Sequence, residues 1–140
     1  MLTIRRADPG ERSRLLDFYQ AVGYRGSVGD TAVFFVAEEH AKVIGLLRVE
    51  EESGVAVLRG MRVIAGRQRQ GIGTALLGAV AQHLGNRSCY CVPYAHLVGF
   101  YRQIGFSAVA SVEAPAFLQE RLAAYWVGRP DMIVMWRSGS

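Results

Sequence analysis

Gln68-Arg69-Gln70-Gly71-Ile72-Gly73-Thr74 follows a β-branched, apolar stretch ending at Val63 and precedes an apolar-periodic stretch beginning at Ala75. Such a run reads as a strand-turn-helix junction with two glycines at its sharpest point. A helix start leaves about four backbone N–H groups without intrahelical partners, and the helix dipole adds partial positive charge there. Phosphates bind at such a point with little side-chain help, and glycine lets the backbone approach them closely.

Two familiar phosphate loops do not match. A dinucleotide fingerprint needs a third glycine at position 76, which is Leu76, and an acid about twenty residues on, where Tyr90 and Cys91 stand. A nucleoside-triphosphate loop opening at Gly66 needs Lys-Ser or Lys-Thr after Gly71, where the chain has Ile72 and Gly73. The remaining pattern, Gln-x-x-Gly-x-Gly between a strand and a helix, resembles the acyl-coenzyme A signature of the GNAT family of N-acetyltransferases. Upstream, Met61-Arg62-Val63 stands where the family's fourth strand ends, five residues from Val63 to Gln68. Downstream, Phe100-Tyr101-Arg102-Gln103-Ile104-Gly105-Phe106 is similar to the family's Phe-Tyr-x-x-x-Gly-Phe segment.

The resemblance implies an α/β (α+β) fold with a mixed, mostly antiparallel central sheet, flanked by helices and splayed between strands 4 and 5. It implies acetyl-CoA as co-substrate. The main-chain N–H groups of Gln70, Gly71, Gly73 and Thr74 would hold the pyrophosphate, with Gln68, Arg69 and Ile72 completing the turn. The pantetheine arm would run along Met61 and Val63, and the Val63 N–H would polarise the acetyl carbonyl. Tyr101 would lie beside the sulfur as the acid, because a phenol with a pKa near 10 keeps its proton at neutral pH and can give it to a leaving thiolate.

Other positions depart from the family. Val57 stands where some members carry a glutamate base, and Tyr94 where many have a cofactor-contacting asparagine. Glu50 and His96 are the nearest titratable groups, and neither is assigned a catalytic role. Arg59 shares strand parity with Val57 and Met61, which makes it a substrate-binding residue for an anionic acceptor, against the simpler reading of a surface ion pair. The expected acceptor is a primary amine of a small molecule. The alternatives are a protein N-terminus, a charged transfer RNA, or a binding module without catalysis.

Composition is that of an ordinary soluble globule. The chain has 140 residues, 51% apolar and 20% charged, long enough for one domain spanning 1–140 with a real core. No apolar run approaches a membrane span, so a cytoplasmic location is expected. The net charge of +4 is scattered apart from Arg62, Arg67 and Arg69 around the turn, which suits an anionic cofactor better than a nucleic acid. Cys89 and Cys91 alternate on a strand without further ligands, which predicts buried thiols rather than a metal site. A homodimer is an open expectation, since dimers are common in the family.

The remaining elements follow from periodicity and punctuation. Leu2 to Arg6 reads as a strand. Asp8 caps a helix with Pro9 at its first position and Glu11 three residues on, and Leu15, Phe18, Tyr19 and Val22 form its apolar face. The glycine-rich stretch from Gly23 to Asp30 reads as a loop in place of a second helix. Thr31 to Ala37 and Val43 to Val49 form a hairpin turning at Glu38 to Ala41, and Gly54 to Val63 follows a charged turn, Glu50 to Ser53. Thr74 to Leu84 is a helix closed by Gly85. Ser88 to Val92 is a strand, His96 to Gln103 a helix, and Phe106 to Ala110 a strand. Pro115 to Trp126 is an inserted amphipathic helix, either a cover for the acceptor or added core, before a last strand from Asp131 to Arg137.

Overall fold

The computed structural model describes residues 1–139. Its strands are β1 Leu2–Arg6, β2 Val33–Glu39, β3 Lys42–Glu52, β4 Val55–Val63, β5 Cys89–Cys91, β6 Phe106–Val109 and β7 Val134–Arg137. The α-helices are α1 Arg12–Ala21, α2 Ile72–Leu84, α3 Val98–Arg102 and α4 Ala116–Trp126. The strands hydrogen-bond in the order β1-β2-β3-β4-β5-β7-β6. β1, β2 and β3 pair antiparallel, β7 pairs antiparallel with both β5 and β6, and β4 with β5 is the parallel pair. That parallel ladder covers Ala56 to Leu58.

The expected fold class stands, but the hairpins are tighter than the sequence suggests. His40 and Ala41, with φ of 53° and 63°, close the β2–β3 turn, so both strands gain residues assigned above to the loop. Ser53 and Gly54, with φ of 50° and 82°, close the next turn. Paired left-handed residues match the twist of flanking strands, which is why two residues suffice. Glu50, Glu51 and Glu52 consequently sit in β3 rather than in a turn, each against an arginine: Arg48, Arg87 and Arg121 respectively.

At the N-terminus, the Asp8 N–H donates to Glu11 Oε2 at 2.8 Å in the expected capping box. Pro9–Glu11 forms a short 3-10 turn before α1, so the α-helix starts at Arg12. Another 3-10 turn, Ala95–Leu97, precedes the short α3. α2 begins at Ile72, two residues earlier than expected, because Ile72 itself is buried and anchors the first turn.

The chain forms two compact units. One comprises Met1–Glu50 and Arg59–His83, and its core joins Leu15, Phe18 and Tyr19 of α1 to Phe34, Val36, Val43 and Leu46 of β2 and β3. The other comprises Glu51–Leu58 and the chain from Leu84 onward. Its core packs Leu118 and Leu122 of α4 against Val57, Ala114, Met132 and Val134. The inserted helix is therefore core: Leu118 is fully buried and Leu122 is 2% exposed.

Candidate active site

The glycine turn is built by side chains that tie it to itself and to β4. Gly66, Arg69 and Gly71 all take left-handed φ, 88°, 62° and 80°, which folds the chain back sharply before α2. Gln68 Nε2 donates to the Val63 carbonyl at 3.2 Å, and Gln70 Nε2 donates to the Gly66 carbonyl at 3.1 Å. The five-residue spacing from Val63 to Gln68 thus corresponds to a direct bond across the turn. Arg67 Nε donates to Gln70 Oε1 at 2.8 Å, and the same guanidinium is ion-paired to Glu39 on β2.

The first bond of α2 runs from the Ala75 N–H to the Gly71 carbonyl at 3.0 Å. The amides of Gly71, Ile72, Gly73 and Thr74 lie ahead of it, where a helix has no acceptor to offer. Ile72 contributes only its backbone there, because its side chain is 1% exposed and packs at Gly45. Thr74, Gln68, Arg69 and Gln70 are exposed. Two of the arginines grouped around the turn differ in use: Arg67 pairs with Glu39, while Arg62 lies 4.9 Å over the Tyr24 ring and donates to the Met61 carbonyl.

Met61 and Val63 are half-buried at the end of β4, just past Gly60, whose φ is +72°. A left-handed residue inside a strand bends the chain at that point. Arg59 is half-buried. Arg59, Met61, Val63 and the turn all belong to the first unit.

Sequence reasoning missed the centre of that unit. Arg48 and Glu50 are the buried charged side chains among the described residues, 0% and 3% exposed. Arg48 Nε donates to Glu50 Oε2 at 2.5 Å, and the Gly29 N–H donates to Glu50 Oε1 at 3.0 Å. Glu50 is thus committed to holding Arg48 and the loop. The signal was present in β3: Ile44, Leu46, Arg48 and Glu50 share one parity, which sets an oppositely charged pair in line with apolar residues.

Tyr101 belongs to the second unit, on α3. It is 7% exposed, with its ring edge-on to Phe100 at 5.0 Å and to Phe106 at 6.1 Å. The Phe-Tyr-x-x-x-Gly-Phe segment therefore forms one aromatic cluster. Tyr94 makes an isolated bridge with Met132 and stacks on His96 at 5.7 Å. Val57, 1% exposed in the apolar cluster under α4, sits where ionising a carboxylate would be costly. Cys89 and Cys91 are buried thiols; burial pushes Cys89 up to about 12 and Cys91 well above its ordinary value, so neither is a nucleophile at neutral pH. Among the described residues no helix is long and apolar enough to cross a membrane.

The profile described as Acetyltransferase (GNAT) domain matches residues 30–108, more than half of the chain. The chain therefore belongs to the GNAT family, the acetyl-CoA-dependent N-acetyltransferases. No curated protein matches the sequence. Among solved structures, Escherichia coli ElaA is similar at a TM-score of 0.72 and 15% identity, over 99% of this chain and 100% of that one. The ribosomal-protein-S18-alanine N-acetyltransferase of Escherichia coli is similar at 0.71 and 19% identity, over 100% and 95%. N-acetylglutamate synthase from Neisseria gonorrhoeae, complexed with coenzyme A and N-acetyl-glutamate, is similar at 0.71 and 15% identity; this chain spans 35% of its length. At such identities the likeness carries the fold.

Proposed function

We propose that this protein transfers the acetyl group of acetyl-CoA to the primary amine of a small molecule in the cytoplasm, by direct attack. The amine nitrogen bonds to the thioester carbon, the carbonyl oxygen becomes anionic, and collapse of the tetrahedral intermediate breaks the C–S bond. The amine's proton passes to solvent, the thiolate takes one from Tyr101, and the phenolate regains its proton from solvent before the next turnover. The Val63 N–H stabilises the oxyanion, a contribution of about 2.7–4 kcal/mol for a preorganised donor. Residues Gln68 to Thr74 hold the pyrophosphate, Met61 and Val63 the pantetheine arm, and Arg59 draws an acidic group of the acceptor.

The observation that carries this reading is the turn from Gly66 to Gly71, braced by Gln68 and Gln70 and opening onto the first amides of α2. A second reading, acetylation of a protein N-terminus, draws on the similarity to the S18-alanine enzyme over nearly its whole length.

Release of coenzyme A thiol, measured across small amines, amino acids and short peptides, tests both. Turnover is expected on an amino compound bearing a carboxylate; turnover confined to peptides would replace the small-molecule reading with the second one. On the accepted amine, Tyr101→Phe is expected to lower kcat by about 100-fold with little change in KM, the scale of one general acid. An unchanged kcat would remove Tyr101 from the mechanism.

A further inference from the structure

β4 departs from regular strand geometry at Gly60, and two side chains meet the backbone there. Tyr19 Oη donates to the Gly60 carbonyl at 2.9 Å, and Arg48 Nη1 donates to that same hydroxyl at 3.1 Å. A phenol has one proton and Arg48 accepts none, so the Tyr19 proton has a single assignment, toward Gly60. Burial pushes the Tyr19 phenol up to about 12, which keeps that proton in place throughout the neutral range. The seating is tight: a Cβ at Gly60 would lie 2.2 Å from Arg48 Nη1 and 2.3 Å from Tyr19 Oη.

The same guanidinium holds the loop before β2. Arg48 Nη2 donates to the Ser27 carbonyl at 2.9 Å, and its partner Glu50 accepts from Gly29. Tyr19 and Tyr24 lie 5.3 and 5.2 Å from the Arg48 carbon, and their rings are 4.4 Å apart. One buried charge therefore fixes both the loop from Tyr24 to Gly29 and the left-handed bend in β4, three residues before Val63.

We propose that Arg48 and Tyr19 are positioning residues for acyl transfer: they set β4 at Gly60 so that the Met61–Val63 backbone is presented to the acyl-pantetheine arm, and they couple that setting to the order of the Tyr24–Gly29 loop. This rests on the reading of β4 as the arm's binding strand. A hydrogen-bond donor held in place before the ligand arrives costs no reorganisation at the moment of reaction, which is what the fixed bend secures. Neither side chain needs to touch the ligand.

The test is calorimetric titration of the wild-type protein and of Tyr19→Phe with two ligands. These are acetyl-CoA and 3′-phosphoadenosine 5′-diphosphate, which keeps the phosphates and lacks the arm. Tyr19→Phe is expected to weaken acetyl-CoA by about tenfold, the scale of one hydrogen bond, and to leave the truncated ligand unchanged. A purely structural role would weaken both ligands together or neither, and either result overturns the positioning role. If Tyr19→Phe does not fold, Arg48→Lys gives the same comparison, because it keeps the charge opposite Glu50 and loses the fork to Tyr19 and Ser27. Wild-type protein that binds neither ligand would sink the acyl-coenzyme A reading itself and this inference with it. Wild-type binding with an undiminished variant sinks the inference alone.

Discussion

An added methyl at Gly60 meets two separate costs. The φ of +72° is a conformation that L residues adopt at about 1–2 kcal/mol, and the new carbon would also displace Arg48 Nη1 and Tyr19 Oη. Gly60→Ala is therefore expected to lower stability by at least about 2 kcal/mol in urea denaturation, well beyond the strain alone. A loss under about 0.5 kcal/mol, typical of an indifferent surface change, would mean that the Arg48 cluster yields easily. Gly54 makes the control: its φ is +82° but nothing stands near its absent side chain, so Gly54→Ala should carry only the strain. The glycine turn was legible in the sequence because its parts are local, Gln68 reaching Val63 and Gln70 reaching Gly66 within five residues. The Tyr19–Arg48–Gly60 arrangement was not, because it joins three elements distant in the chain. Its one local trace was the opposite pair at positions 48 and 50.

At the level of elements, periodicity located every α-helix and strand among the described residues, and errors gathered at turns. His40 and Ala41 take left-handed φ although neither is glycine or asparagine, so no residue type announced the two-residue turn between β2 and β3. The tail helix left two readings in the sequence, since an apolar face serves equally as a lid or as core. Packing shows that the helix contributes core: α4 buries Leu118 and Leu122 against Val57, Met132 and Val134. Leu118→Ala is accordingly expected to destabilise by about 2–5 kcal/mol in denaturant, as a cavity at a closed site does. Glu120→Ala, exposed on the same helix, should stay within about 0.5 kcal/mol. Equal, small effects at both positions would contradict the packing described for α4. A glutamine-to-backbone bond on this helix, Gln119 Nε2 to the Ala114 carbonyl at 2.8 Å, secures the start of α4 where Pro115 cannot cap it through a side chain.

Across the molecule, a net charge of +4 conceals how many arginines are already matched. Arg5 and Arg14 bind both Glu11 and Glu38, joining β1, the turn before α1, α1 itself and β2. The Arg5 hydrogen bonds, followed by the Asp8 amide, hold the Glu11 carboxyl down at about 2 against an ordinary 4.5; Arg14, then Arg5, lowers Glu38 as well. A carboxyl with a depressed pKa in the folded state contributes stability that is complete above the unfolded value and lost as pH falls through the folded one. Thermal melting is thus expected to hold from pH 7 to 5 and fall between about 4.5 and 2, less steeply in Glu11→Gln and less in high salt. Identical pH profiles for the variant and the wild type would show the network to be energetically idle. The central claim, that the turn before α2 binds the acyl donor, is met most directly by the melting temperature with acetyl-CoA added. Ligand at 100 times its dissociation constant adds about 2.7 kcal/mol without any acceptor being known. A clear rise in the wild type that disappears in Gly71→Glu, where a carboxylate would stand among the amides proposed to hold the pyrophosphate, is the predicted result. No rise at millimolar acetyl-CoA, or an equal rise in Gly71→Glu, would contradict it.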